Sequence, residues 1–192
     1  MDRLDRQHLL DDLAHPDEEI RRLAVERTSE LPGDEAVPSL VERLGDSSWR
    51  VRKAAVERLI DQDDAASAVR ALVAALADGE NSGRRNAALE ALTHFGPEAV
   101  PVLLEASDDE DVDVRKQVVD TLGAIGHSSA ADRLIQLLAD PDANVRAAAA
   151  EALGAVAALG VERLLVERVE QDEEPLVRLC ALRSLAKLRA SV

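Results

Sequence analysis

One arginine position recurs through the chain, at Arg21, Arg52, Arg85, Arg115, Arg146 and Arg178, at intervals of 31, 33, 30, 31 and 32 residues. A β-branched residue precedes it in five copies: Ile20, Val51, Val114, Val145 and Val177. The third copy is degenerate and reads Arg84-Arg85. Small residues follow at positions two and three, as in Ala54-Ala55, Ala87-Ala88 and Ala148-Ala149. A period in this range marks a stacked array. Each unit is too small to bury its own apolar face and completes its core against its neighbours.

Each unit also has an upstream apolar segment, as in Leu40-Val41 with Leu44, Leu72-Val73 with Leu76 and Leu134-Ile135 with Leu138. The i, i+1, i+4 spacing predicts a short amphipathic helix A. The arginine opens helix B. Pro38 and Pro101 suit the first turn of a helix A, where a missing N–H costs nothing. Acidic turns such as Ala139-Asp140-Pro141-Asp142 join A to B and supply N-caps. Gly33, Gly96, Gly123, Gly126, Gly154 and Gly160 are expected to punctuate helix exits. On helix B, the residues one before and two, three, six, seven and ten after the arginine share one arc. In the fifth copy these are Val145, Ala148, Ala149, Ala152, Leu153 and Val156, the expected stacking face.

The run Asp140-Pro141-Asp142-Ala143-Asn144-Val145-Arg146, followed by Glu151-Ala152-Leu153-Gly154, closely resembles the HEAT repeat. The likeness is to its short bacterial and archaeal form, found also in phycobilin-lyase subunits. The match extends over essentially the whole chain. It implies an all-α fold, an α-solenoid with a right-handed superhelix, built from about twelve helices in six pairs. One repeat domain is expected over 1–192, with repeats near 3–33, 34–64, 65–96, 97–126, 127–158 and 159–192. Arrays of this family place A helices on the convex face and B helices on the concave face. Such repeats serve many functions, so the resemblance fixes architecture rather than activity.

Composition narrows the function. Aromatic residues make up 1% of the chain, which disfavours an all-β core. The net charge of −15 repels phosphate backbones and anionic membranes, so neither nucleic acid nor membrane is an expected partner. A high-GC genome and a salt-adapted host both fit the three lysines, Lys53, Lys116 and Lys187, and both stay open. One cysteine excludes an internal disulfide and suits a reducing compartment. No apolar stretch follows Met1-Asp2-Arg3, and no run of about 18 apolar residues occurs, so a cytoplasmic location is expected.

Catalytic, metal and cofactor residues are expected to be none. His8, His15, His94 and His127 do not share metal-ligand spacing, and none precedes a Glu. HEAT-like di-iron hydroxylases use His-Glu pairs, which this chain lacks. Cys180 falls on the stacking arc as a small core residue. Gly79–Gly83 lacks the Lys-Ser/Thr of a phosphate loop. The acidic run at 108–113 reads as the capped start of a helix rather than a calcium loop.

Two features carry the expectations about sites. The arginine column (Arg21, Arg52, Arg85, Arg115, Arg146, Arg178) reads as a structural ladder. Its partners would be inter-helix aspartates of its own or the adjacent repeat; Asp46, Asp109, Asp140 and Asp172 each lie six residues before an anchor. Positions one and five after the anchor lie opposite the stacking arc and make a mixed-charge stripe. Trp49, Arg50, Lys53, Glu57, Asn86, Glu90, Lys116 and Asp120 are the expected protein-binding residues of that concave face, with Trp49 the anchor. The expected function is a non-enzymatic scaffold or adaptor for a protein or peptide. The alternative is a subunit of a phycobilin-lyase-like chromophore-handling enzyme. Leu176, Leu179 and Leu182 suggest a covered end at the last repeat, by self-association, by a partner or by the remainder of a larger array.

Overall fold

The computed structural model describes residues 3–62, 64–156 and 160–190. Met1-Asp2 and the expected repeat boundary at 158/159 lie outside them. The described residues form helices and turns, with no strand among them.

The chain divides into two compact units, Met1–Glu98 and Ala99–Val192. The first holds α1 (Arg3–Leu13), α2 (Glu18–Arg27), α3 (Gly33–Arg43), α4 (Trp49–Ile60), α5 (Ala65–Leu76) and α6 (Ser82–Phe95). The second holds α7 (Val100–Ala106), α8 (Val112–Ile125), α9 (Ala131–Leu137), α10 (Ala143–Val156), α11 (Glu162–Gln171) and α12 (Pro175–Ala190). Odd-numbered helices are the A helices and even-numbered ones the B helices. In the first unit α2 packs on α4 and α4 on α6; in the second α8 packs on α10 and α10 on α12. Each A helix lies against the B helix of its own pair.

The core is aliphatic and regular. A helices contribute Leu9, Leu40, Leu72, Leu103, Leu134 and Leu165; B helices contribute Leu59, Leu92, Leu122 and Leu153, all fully buried. Each such leucine contributes about 1.5–3 kcal/mol relative to exposure. The turn acids cap the B helices. Asp17 accepts from the N–H of Glu19 and Ile20, Asp111 from Asp113, and Asp142 from Asn144 and Val145. In the third pair Asn81 does this, accepting from Arg84.

Two sequence expectations are corrected. Pro101 stands in the first turn of α7, but Pro38 lies inside α3, which starts earlier at Gly33 with Asp34 and Glu35 in its first turn. The glycines divide into three kinds. Gly96, Gly126 and Gly160 take positive φ. Gly33 opens a helix rather than ending one. Gly123 and Gly154 lie inside α8 and α10, where the next B helix presses close. A Cβ on Gly123 would stand 2.8 Å from the Cβ of Ala152, and one on Gly154 2.6 Å from the Oγ of Ser184.

Candidate functional site

The arginine column is wired in two directions. Nη1 of each anchor donates to carbonyls of its own A–B turn, five or six residues back. Arg21 reaches His15 and Pro16, Arg52 reaches Asp46 and Ser47, Arg115 reaches Asp109 and Glu110, Arg146 reaches Asp140 and Pro141, and Arg178 reaches Asp172 and Glu173. The other edge of the fork grips the following repeat. Arg21 donates Nε and Nη2 to Asp46 at 2.7 and 2.9 Å. Arg115 holds Asp140 at 3.1 and 3.2 Å, and Arg146 holds Asp172 at 2.9 and 3.1 Å. Each of these aspartates also accepts a backbone N–H in its own turn, from Ser48, Asp142 and Glu174. One carboxylate thus fixes a turn and docks two repeats, in the bidentate geometry that guanidinium favours.

The third pair breaks this pattern. Asp78 stands where Arg52 would find its acceptor, but it accepts instead from Arg84 at 2.8 Å and from the N–H of Glu80 and Asn81. Among the described residues no carboxylate reaches Arg52. Asn81 bridges back to the carbonyl of Gly45 at 3.1 Å in its place. Arg85 keeps one long contact, to the Gly79 carbonyl at 3.5 Å.

Two of the ladder carboxylates, Asp172 and Asp46, are held in their charged form. For Asp172, the Arg146 hydrogen bonds outweigh burial and, with the Glu174 N–H, keep the carboxyl below the usual range. For Asp46, burial pushes the carboxyl up, and Arg21 with the Ser48 N–H more than reverses it, so it too is lowered. A carboxyl lowered in the folded state stabilises the fold fully above its unfolded value of about 3.9. That contribution is lost as pH falls through the folded value. Thermal melts followed by circular dichroism should therefore show Tm falling once pH drops below about 4. A variant carrying Arg146→Met and Asp172→Leu should show a shallower acid limb; an unchanged limb would mean the ladder carboxylates do not set it.

The eight residues of the expected binding face separate into two sets. In the first unit, Trp49, Lys53, Asn86 and Glu90 line one groove between α4 and α6, about 270 Å³ in volume, floored by Val56 and Ala87. The two helices run side by side, so positions one and five of α6 face positions one and minus three of α4. Arg52, the anchor without an acid, also lines it. Trp49, the first residue of α4, is 61% exposed. Arg50 lies over its ring, 5.9 Å from the centroid, within cation–π range. Glu57 lies a turn beyond and faces Lys53 at 3.8 Å, both well exposed.

In the second unit, Lys116 pairs with Asp120 at 2.6 Å. Asp120 lines a second groove of about 380 Å³ over α8, α10 and α12. Glu151 contributes an acid there, Arg183 and Lys187 the cations, and Gly123 and Ala152 the floor. Position one of α10 is not on any exposed face: Ala147 is buried. The sequence pattern passed over this groove because its width depends on small residues far apart in the chain.

Cys180 is buried with its Sγ 4.0 Å from Glu151 Oε2. Burial first, and then that carboxylate, push its thiol pKa up, which keeps it protonated and unreactive. Among the described residues no three His, Cys, Asp or Glu side chains are grouped to hold a metal. None of the described helices is long and apolar enough to cross a membrane.

A family profile for HEAT repeats matches residues 6–93, 87–154 and 131–192. The chain belongs to the HEAT-repeat family. No curated protein sequence matches it. Solved HEAT-like structures do. A structure from work on microtubule plus-end tracking by XMAP215, CLIP-170 and EB1 is 17% identical with a TM-score of 0.61, covering 100% of this chain and 93% of that one. The complex of CpcE and CpcF of phycocyanin lyase from Nostoc sp. PCC7120 is 23% identical with a TM-score of 0.55, over 79% of this chain and 98% of that one. Human deoxyhypusine hydroxylase is 20% identical with a TM-score of 0.52, over 93% and 82%. At these identities the likeness is one of fold, a HEAT α-solenoid.

Proposed function

We propose that this HEAT-repeat chain is a non-enzymatic scaffold that binds a protein or peptide on its B-helix face, with the α4–α6 groove as the anchor site. One observation carries the reading: the exposed indole of Trp49 at the mouth of a groove bearing Lys53, Asn86 and Glu90. Tryptophan and arginine are among the residues most enriched where binding energy concentrates. Lys53 and Glu90 present opposite charges within the same groove, and Asn86 offers both donor and acceptor, which selects partners by pattern rather than net charge. The acid stripe Glu57, Glu90 and Asp120 and the cation Lys116 would extend that pattern in each unit. The residues at hand arrange no nucleophile, base or metal set around the groove, and its chemistry is that of recognition.

Trp49 is the one tryptophan of the sequence, so its fluorescence reports the site directly. Peptides selected by display against the whole protein should shift its emission to the blue. Trp49→Ala should weaken the best of them at least tenfold, about 1.4 kcal/mol. In lysate, a protein captured by the wild type should be lost with Trp49→Ala and Lys53→Glu. Selected peptides that leave the emission unmoved and bind the variant equally would remove the groove from the reading.

A further inference from the structure

The exposed face of α12 takes in a position that is buried on four of the B helices before it, and in α10 the whole of that face is buried. Gly123 and Gly154, eight residues after their anchors, abut Ala152 and Ser184 of the next B helix. Position eight therefore looks forward, toward the following repeat. Positions one and four share its arc. Position four is buried in α2 (Val25), α4 (Val56), α8 (Val119) and α10 (Ala150). In α12 the same three positions are Leu179, Leu182 and Ala186, and all are exposed. Leu179 is 43% and Leu182 55% exposed, with Leu176 at 49% beside them. These are larger side chains than α10 uses where its forward face is covered.

Arg178 points the same way. Its Nη1 is spent on the carbonyls of Asp172 and Glu173, as in every rung. The Nε and Nη2 edge, which in Arg21, Arg115 and Arg146 holds the next repeat's aspartate, meets no carboxylate among the described residues. The helix itself, Pro175–Ala190, carries no acid; of its cations, Arg183 and Lys187 line the groove shared with Asp120 and Glu151, and Arg178 and Arg189 are the others. An apolar stripe flanked by cations, with a half-used guanidinium fork, complements one kind of surface.

We propose that this face docks an acidic helical partner, one that stacks on α12 as a further helical pair would and offers a carboxylate to Arg178. A second copy of the chain fits poorly. Its first A–B turn has His15 at the place of the ladder aspartate, and His15 Nδ1 is engaged by the Asp17 N–H. Packing α12 on α12 would bring like charges together. Docking on α12 is independent of the α4–α6 groove.

The probe is a pair of labelled synthetic helical peptides with the same leucine–alanine stripe, one flanked by Glu with an N-terminal Asp, the other flanked by Lys. Binding to the full chain is followed by fluorescence anisotropy. The chain's net charge of −15 would draw the basic peptide, so preference for the acidic one isolates the local chemistry of α12. The expected result is at least tenfold tighter binding of the acidic peptide. Leu179→Glu with Leu182→Glu should weaken it at least tenfold, Arg178→Gln several-fold, and Trp49→Ala not at all. The substituted leucines are exposed, and an unchanged circular-dichroism melt verifies the fold of each variant. Equal binding of both peptides, binding of neither, or insensitivity to the leucine pair overturns the proposal. So does a micromolar dimer in sedimentation that the leucine pair disperses, since the occupant would then be a second copy.

Discussion

Asp172→Ala is expected to destabilise the second unit by about 3 kcal/mol, the lower end of the range for breaking a buried ion pair. The carboxylate side chain is 3% exposed and that of Arg146 16%, so solvent replaces little of what is lost. Removing the carboxylate takes away both hydrogen bonds from Arg146 and the one from the Glu174 N–H. The guanidinium keeps its two carbonyl contacts but loses its counter-charge where little solvent reaches it. Arg146→Met should cost at least as much, because it strands a more deeply buried acid with only the Glu174 N–H and leaves the Asp140 and Pro141 carbonyls without their donor. Combining Arg146→Met with Asp172→Leu should recover most of the loss, since a matched apolar pair leaves no charge unsolvated. Urea unfolding followed by circular dichroism measures all three. A loss below about 0.5 kcal/mol for Asp172→Ala would place these rungs with exposed ion pairs, which contribute little.

Gly154→Val is expected to be more damaging than any change of an exposed residue, by about 3 kcal/mol. The new Cβ would lie 2.7 Å from the Cβ and 2.9 Å from the Cα of Ser184. A serine hydroxyl can rotate away, but the α12 backbone cannot without separating from α10. Val then adds two methyl groups to the same gap. Gly154→Ala tests the argument more finely. Alanine gains about 1 kcal/mol of helix propensity over glycine, and the clash reverses that sign. Gly33→Ala is the control, because nothing lies within 4 Å of its would-be Cβ. Melting temperatures should fall in the order Gly33→Ala, Gly154→Ala, Gly154→Val. If Gly154→Ala raises Tm, the helices have more room than their spacing indicates.

These cases show what the sequence could and could not convey. The 30–33-residue arginine spacing and the Ala-rich stretches behind it are local in the chain, so the helical pairs and their stacking arc were readable. The arginine partners were left open between own and adjacent repeat, because both acids lie at fixed offsets. The folded fork uses both, carbonyls on one edge and the next carboxylate on the other. Gly123 and Gly154 have the look of helix ends in the sequence but lie inside α8 and α10. Their meaning comes from a helix about thirty residues away, and no window within one helix contains it. Position one of α10 departs from the stripe: Ala147 is buried there, where α4, α6 and α8 carry Lys53, Asn86 and Lys116. The register of the groove was half legible. Trp49 and Lys53 on one wall and Asn86 and Glu90 on the other line the same groove, whereas Arg50 lies over the indole ring.

The redirected aspartate of the third pair has a mechanical meaning. A linear stack of coupled elements yields where neighbouring elements are coupled least. Among the described residues the α4–α6 joint has no charged clamp such as spans α2–α4, α8–α10 and α10–α12; the amide of Asn81 on Gly45 stands in for it beside the packing of the two helices. That joint is also the two walls of the Trp49 groove. Whatever seats itself between those walls acts as the missing fastener, and the compliance of the first unit and the occupancy of its groove become one variable.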